Sequence, residues 1–121
     1  MILQKFGIAD TVTLDDWGAV RDPLTLPACQ VRGKNHLEHT DGTLKAGVWE
    51  CAPGRFRRAL FDNEFMHILS GECTFTPEGG ETVVLREGDS FTLMADIQGV
   101  WEVRTTVRKL YAIFTAQDRT A

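Results

Sequence analysis

From residue 44 to residue 114 the chain repeats one cadence: a short apolar segment, then a turn built from Gly, Pro or Asp. The segments are 46–51, 64–69, 72–76, 82–85, 90–94, 99–104 and 108–114. They are separated by Pro53-Gly54, Gly71, Pro77 with Gly79-Gly80, and Glu87-Gly88-Asp89. Strands of about 5 residues with turn signals every 8 to 12 residues predict an all-β sandwich or barrel. No stretch after residue 44 carries the 3.6-residue apolar period of an amphipathic helix. A chain of 121 residues holds one core. The expected partition is an N-terminal arm with edge segments over 1–44, a barrel core over 45–116 and a short tail over 117–121.

The arm shows little periodicity. Residues 11–14 have the composition of a short strand, and Asp15-Asp16-Trp17-Gly18 reads as a turn or a single helical turn capped by an aspartate. Pro23 and Pro27 bracket an extended segment, because proline disfavours helix at its own position and at the one before it. The arm is expected to wrap the outside of the domain or a partner subunit. The polar stretch 33–42 holds His36, Glu38 and His39 and ends in the turn signal Asp41-Gly42. Without an apolar framework beside them, these histidines are expected in an exposed loop rather than on a metal.

Net charge is −4 and the pI is near 5.3, which argues against nucleic acid or an anionic membrane as the main partner. No apolar run reaches the length of a membrane span. The first ten residues lack the pattern of a secretory leader. Cys29, Cys51 and Cys73 form no Cys-x-x-Cys unit, so a structural zinc site is not expected. An odd number of cysteines fits a reducing, cytoplasmic compartment.

Several motifs in the cadence resemble those of the cupins, small jelly-roll barrels with two sequence motifs. Glu64 and Gly71 have the spacing of the glutamate and glycine in the first motif, and Gly88-Asp89 match the start of the second. The match is closer to the small cupins that include the cupin domain of (S)-ureidoglycine aminohydrolase and the ethanolamine-utilisation cupins. It rests on Gly47-Val48-Trp49-Glu50-Cys51, Pro53-Gly54, Asn63-Glu64, His67-Ile68-Leu69-Ser70-Gly71, Gly88-Asp89-Ser90-Phe91, Gly99-Val100-Trp101-Glu102-Val103 and Val107-Arg108-Lys109-Leu110-Tyr111. The resemblance implies a single cupin jelly-roll barrel with an N-terminal arm. It also implies pairing into a homodimer, in which the arm with Trp17 would complete the contact. It does not carry a reaction, since fold alone does not.

The departures bear on chemistry. In metal-binding cupins the motifs supply three histidines and the glutamate. Here the first-motif histidine positions fall among Arg57, Arg58, Ala59 and Leu60, and the second-motif histidine falls on Gly99. A lone carboxylate holds a divalent transition metal poorly. The expectation is therefore no resident metal or other cofactor, and at most a weakly bound divalent ion.

Side chains alternate faces along a strand. If Glu64 points inward, Met66 and Ile68 share its face, Trp101 and Val103 share that of Gly99, and Trp49 pairs in face with Cys51 as Lys109 does with Tyr111. The expected pocket is lined by Trp49, Cys51, Glu64, Met66, Trp101, Lys109 and Tyr111, with Arg57 able to hold an acid group. Arg55, Arg57 and Arg58 otherwise read as a solvated strand edge. Two functions follow. One is a cupin that binds a small polar or anionic metabolite without turnover. The other is an enzyme on a small nitrogen-containing or carboxylate metabolite, resembling ureidoglycine chemistry, with Glu64 as the general acid or base. The alternative for Glu64 is a structural pair with Lys109 or an arginine.

Overall fold

The computed structural model describes residues 5, 7–38 and 42–115. They form eight strands: β1 (Asp15–Ala19), β2 (Gln30–Glu38), β3 (Leu44–Cys51), β4 (Gly54–Leu60), β5 (Asn63–Pro77), β6 (Val83–Arg86), β7 (Ser90–Leu93) and β8 (Ile97–Phe114). All pairings are antiparallel.

Two long strands organise the rest. β5 and β8 each run through both layers of the barrel. The C-terminal half of β8 lies between β3 and the first half of β5, which also pairs with β7. The N-terminal half of β8 lies between β4 and the second half of β5, which also pairs with β6. The bend in β5 is made at Gly71, which has φ +86° and lies against the backbone of Thr106, so a side chain there has neither the conformation nor the room. The sequence predicts one strand on each side of Gly71, and two strands in place of β8. The structure continues each one through a bulge or an exposed polar stretch.

The N-terminal region differs most from expectation. Asp15-Asp16-Trp17-Gly18 lies in an edge strand, not in a turn, and β2 occupies most of the stretch expected as a polar loop. His36 is therefore a half-buried strand residue, while His39 lies outside the described residues. β1 and β2 extend the sheet beyond β3, and Cys29 and Val31 join the core. The core between the layers is built from Met66, Ile68, Phe75, Leu85, Trp101, Val103 and Val107 among others. Chain N-terminal to β1 crosses the outer face of β3 and β8, where Arg108 donates hydrogen bonds to the carbonyls of Ala9, Asp10 and Val12 and pairs with Glu50 at 3.0 Å. Among the described residues no helix is long and apolar enough to cross a membrane.

Candidate functional site: a cavity at the barrel mouth

The inner face of the sheet carries a row of residues across three strands. Register pairs Gly33 of β2 with Trp49 of β3, and Trp49 with Lys109 of β8. Beside this row, Glu64 and Met66 point inward from β5 and Trp101 points inward from β8, as alternation requires. Trp49, Glu64, Trp101 and Lys109 close one end of a cavity of about 630 Å³. Its floor is buried and its rim, on β1, β3 and β4, is exposed, so it opens to solvent on that side.

The floor is an ion pair in an aromatic box. Lys109 Nζ donates to Glu64 Oε2 at 2.7 Å, with side-chain exposures of 10% and 5%. The ammonium sits 4.5 Å from the centre of the Trp49 ring and 5.3 Å from that of Trp101. Both distances suit cation–π attraction. Met66 Sδ is a weaker acceptor at 3.9 Å. Among the described residues no donor reaches the other oxygen of Glu64, and the residue lines the cavity. One wall holds Tyr111, whose hydroxyl donates to Asn35 Oδ1. Burial, with the negative charges of Glu64 and Glu38, pushes the Tyr111 phenol up to about 12.

The rim is cationic. Arg21, Lys45, Arg57, Arg58 and Lys109 line the cavity against two carboxylates, Asp22 and Glu64, an excess of three positive charges in a chain of net charge −4. Arg57 and Arg58 come from β4. Arg58 shares the strand face of the buried Phe56 and Leu60, so alternation turns Arg58, more than Arg57, toward the interior. Arg21 is brought beside them because the segment before β2 is pinned to β4. Arg57 N donates to Asp22 O and Leu24 N to Arg55 O, both at 2.9 Å. Among the described residues Arg21, Arg57 and Arg58 form no ion pair. Arg55 differs, lying 3.8 Å from Glu102.

Of the residues expected in the pocket, Trp49, Arg57, Glu64, Trp101, Lys109 and Tyr111 line the cavity. Cys51 and Met66 do not: both are fully buried in the core beneath it. They have the inward parity but lie one layer deeper, where the sheets meet. Burial and the neighbouring Cys29 push the Cys51 thiol well above its ordinary range, against the thiolate character a nucleophile needs. Trp17, Arg21, Asn35 and Lys45 also line the cavity and were not expected there. The one sequence signal was a tryptophan standing in an otherwise polar segment.

Among the described residues, the side chains around the cavity do not fit a metal centre. Glu64 already holds an ammonium. A side chain at Gly99, the second-motif position, would meet Phe75 Cζ at 2.6 Å and the carbonyl oxygen of Thr76 at 2.5 Å. Among the described residues no three of His, Cys, Asp and Glu are grouped to hold an ion.

An eight-stranded antiparallel jelly roll with one inward glutamate on a long central strand is a cupin barrel. Residues 38–111 match the model of the EutQ-like cupin domain, and the chain belongs to that family. A search of curated proteins finds no match. Among solved structures, the chain is similar to a protein of unknown function of the DUF861 family from Pseudomonas syringae, with 25% identity and a TM-score of 0.77. That match covers 86% of this chain and 45% of the other, so this chain spans less than half of that relative's length. It is also similar to a putative ethanolamine utilisation protein from Salmonella typhimurium, with 26% identity, a TM-score of 0.64, and 73% and 72% of the two chains covered. A DUF861 family protein from Thermotoga maritima shares 33% identity over 55% of this chain and 76% of its own, with a TM-score of 0.54.

Proposed function

We propose that this cupin binds a small organic anion at the mouth of its barrel, without a metal and without turnover. The observation that carries the reading is the group of arginines at the rim. Arg21, Arg57 and Arg58 line one cavity, and among the described residues none of them is held in an ion pair, although Asp22 lines the cavity beside them. Guanidinium groups held close together, with aromatic surface behind them, suit a carboxylate or another oxyanion, because each offers paired donors in a fixed plane. The floor supports the same reading. Its cation is already matched by Glu64, so the unmatched positive charge lies higher in the cavity.

Calorimetric titration with acetate and succinate tests the proposal. Binding should weaken about tenfold in Arg58→Ala, a loss of one charge-assisted hydrogen-bonding group, and should weaken further with added salt. Carboxylate binding that is indifferent to Arg21→Ala, Arg57→Ala and Arg58→Ala alike would refute it. A catalytic reading attaches to Glu64, whose second oxygen has no donor among the described residues and lines the cavity. It predicts turnover of a small nitrogen-containing or carboxylate metabolite. In that case Glu64→Gln would bind normally and lose the reaction.

A further inference from the structure

The aromatic residues are distributed unevenly. The chain has three tryptophans and one tyrosine, and all four line this single cavity. Phe56 lines it as well. Two of the indoles are already engaged, since Trp49 and Trp101 hold the Lys109 ammonium. Trp17 is not. It is 41% exposed, and among the described residues it has no ring or cation against it.

Trp17 reaches the cavity through a specific backbone device. Asp16 pairs with Arg32 and Gly18 with Val31, which leaves Trp17 as the extra residue of a β-bulge. Gly18 takes φ +81°, and its N–H is held by Asp16 Oδ1 at 2.8 Å. Bulges of this kind re-aim a side chain. Here the indole is laid over Gly33, the member of the inner-face row next to Trp49. A Cβ at Gly33 would overlap the Trp17 ring. The missing side chain at Gly33 therefore makes the place in which the indole lies.

We propose that the cavity selects planar aromatic acids, with the ring stacked on Trp17 and the acid group held by the rim arginines. The proposal rests on the anion reading above and names the class of anion. A short aliphatic acid would satisfy the arginines but leave Trp17 in water. A cavity of about 630 Å³ has the size of those that enclose drug-sized ligands. An aromatic acid can engage both the rim arginines and Trp17, and offset or edge-on contact between rings adds to affinity beyond the area buried.

The test uses three probes on the full chain: benzoate, cyclohexanecarboxylate and benzamide. Each is titrated by calorimetry and by tryptophan fluorescence, which reports only on this cavity because all three tryptophans line it. Benzoate should bind about threefold to tenfold more tightly than cyclohexanecarboxylate, and benzamide more weakly than benzoate. The ratio between the two acids should fall to near one in Trp17→Ala and be largely restored in Trp17→Phe. Gly33→Ala, which keeps all three tryptophans but displaces one, should also lower it. Equal binding of the two acids would overturn the aromatic selection and leave the anion reading standing. Benzamide binding as tightly as benzoate would remove the acid group from both. Failure of both acids to bind would overturn both readings.

Discussion

Replacing Lys109 with methionine should destabilise the fold severely, and the size of the effect follows from the geometry of the floor. The ammonium lies 2.7 Å from a Glu64 oxygen, which at an effective dielectric constant of about 20 corresponds to roughly 6 kcal/mol of gross attraction. Desolvation of the two ions offsets most of that, so the intact pair contributes little net stability. Removing one ion is different, because the other stays buried without its partner, at a cost of about 3–5 kcal/mol. Lys109→Met also loses cation–π contact with Trp49 and Trp101. Out of a typical total stability of about 5–15 kcal/mol this is a large share. For a domain of this length it lowers the thermal midpoint by roughly 10 °C or more. Glu64→Gln should be milder, at about 1–3 kcal/mol, since an amide oxygen still accepts from Lys109 and the indoles remain. The double variant Glu64→Gln/Lys109→Met carries no buried charge and should recover to within about 2 kcal/mol of the native protein. Urea denaturation of the four proteins, followed by circular dichroism, closes the cycle. If Lys109→Met costs less than about 1 kcal/mol, or the double variant equals the sum of the singles, the two ions are solvated independently and the argument fails.

Tyr111 is the only tyrosine, so its ionisation can be followed cleanly by absorbance. Its midpoint should lie near 12 in the folded protein and near 10 in urea. Because the folded value is the higher one, this group's contribution to stability is fully present below pH 10 and is lost as pH rises toward 12; a native midpoint near 10 would contradict the buried placement. Pairing of two copies is expected from the cupin resemblance, and Phe65, Met94 and Phe114 leave exposed apolar surface on the outside of the barrel. Light scattering at micromolar concentration should give a dimer, and a strict monomer would refute the pairing. Elemental analysis of protein purified without a tag or chelator should give well under one zinc, manganese, iron or nickel per chain; a near-stoichiometric metal would overturn the account of Glu64.

The inward set on the central strands was legible because those strands are buried on one face, and alternation then leaves a pattern. Glu64, Met66 and Ile68 are buried while Phe65 is exposed, and Trp101 and Val103, Trp49 and Cys51, and Lys109 and Tyr111 share faces as period two requires. The edges left no such pattern. β1 contains two aspartates and a glycine and has no buried residue, so nothing distinguished it from a turn. β2 buries only Val31 and Gly33, and a glycine is silent in an apolar count. β4 buries Phe56 and Leu60, but its third inward position is Arg58, which breaks the alternation at the point where the cavity begins. Depth was also invisible: parity says that Cys51 and Trp49 face the same way, not that one lies in the core and the other in the wall. Trp17 was beyond reach for a further reason, since its direction is set by a bulge and by the space at Gly33.

The cavity separates two electrostatic tasks that a metal-binding cupin would combine. A buried carboxylate requires a positive charge beside it, and Lys109 supplies that charge to Glu64. A divalent ion brought to the same carboxylate would meet a like charge at close range and would find no histidine among Arg57, Arg58, Ala59 and Leu60 or at Gly99 to complete its shell. The floor is thus neutral as a unit, and the positive excess lies at the rim, on Arg21, Lys45, Arg57 and Arg58. On the proposed reading, an anion drawn to that excess would be held above the ion pair, with its body directed toward Trp17. Stability and affinity should therefore map to opposite ends of one cavity. Arg58→Ala, at an exposed position with no ion pair among the described residues, should weaken carboxylate binding and change the melting temperature by no more than a surface substitution does. Lys109→Met should do the reverse per unit of stability lost, disturbing the fold first and affinity through it. Loss of fold stability in Arg58→Ala equal to that in Lys109→Met would mean that the rim and the floor act as one network, and the separation would have to be abandoned.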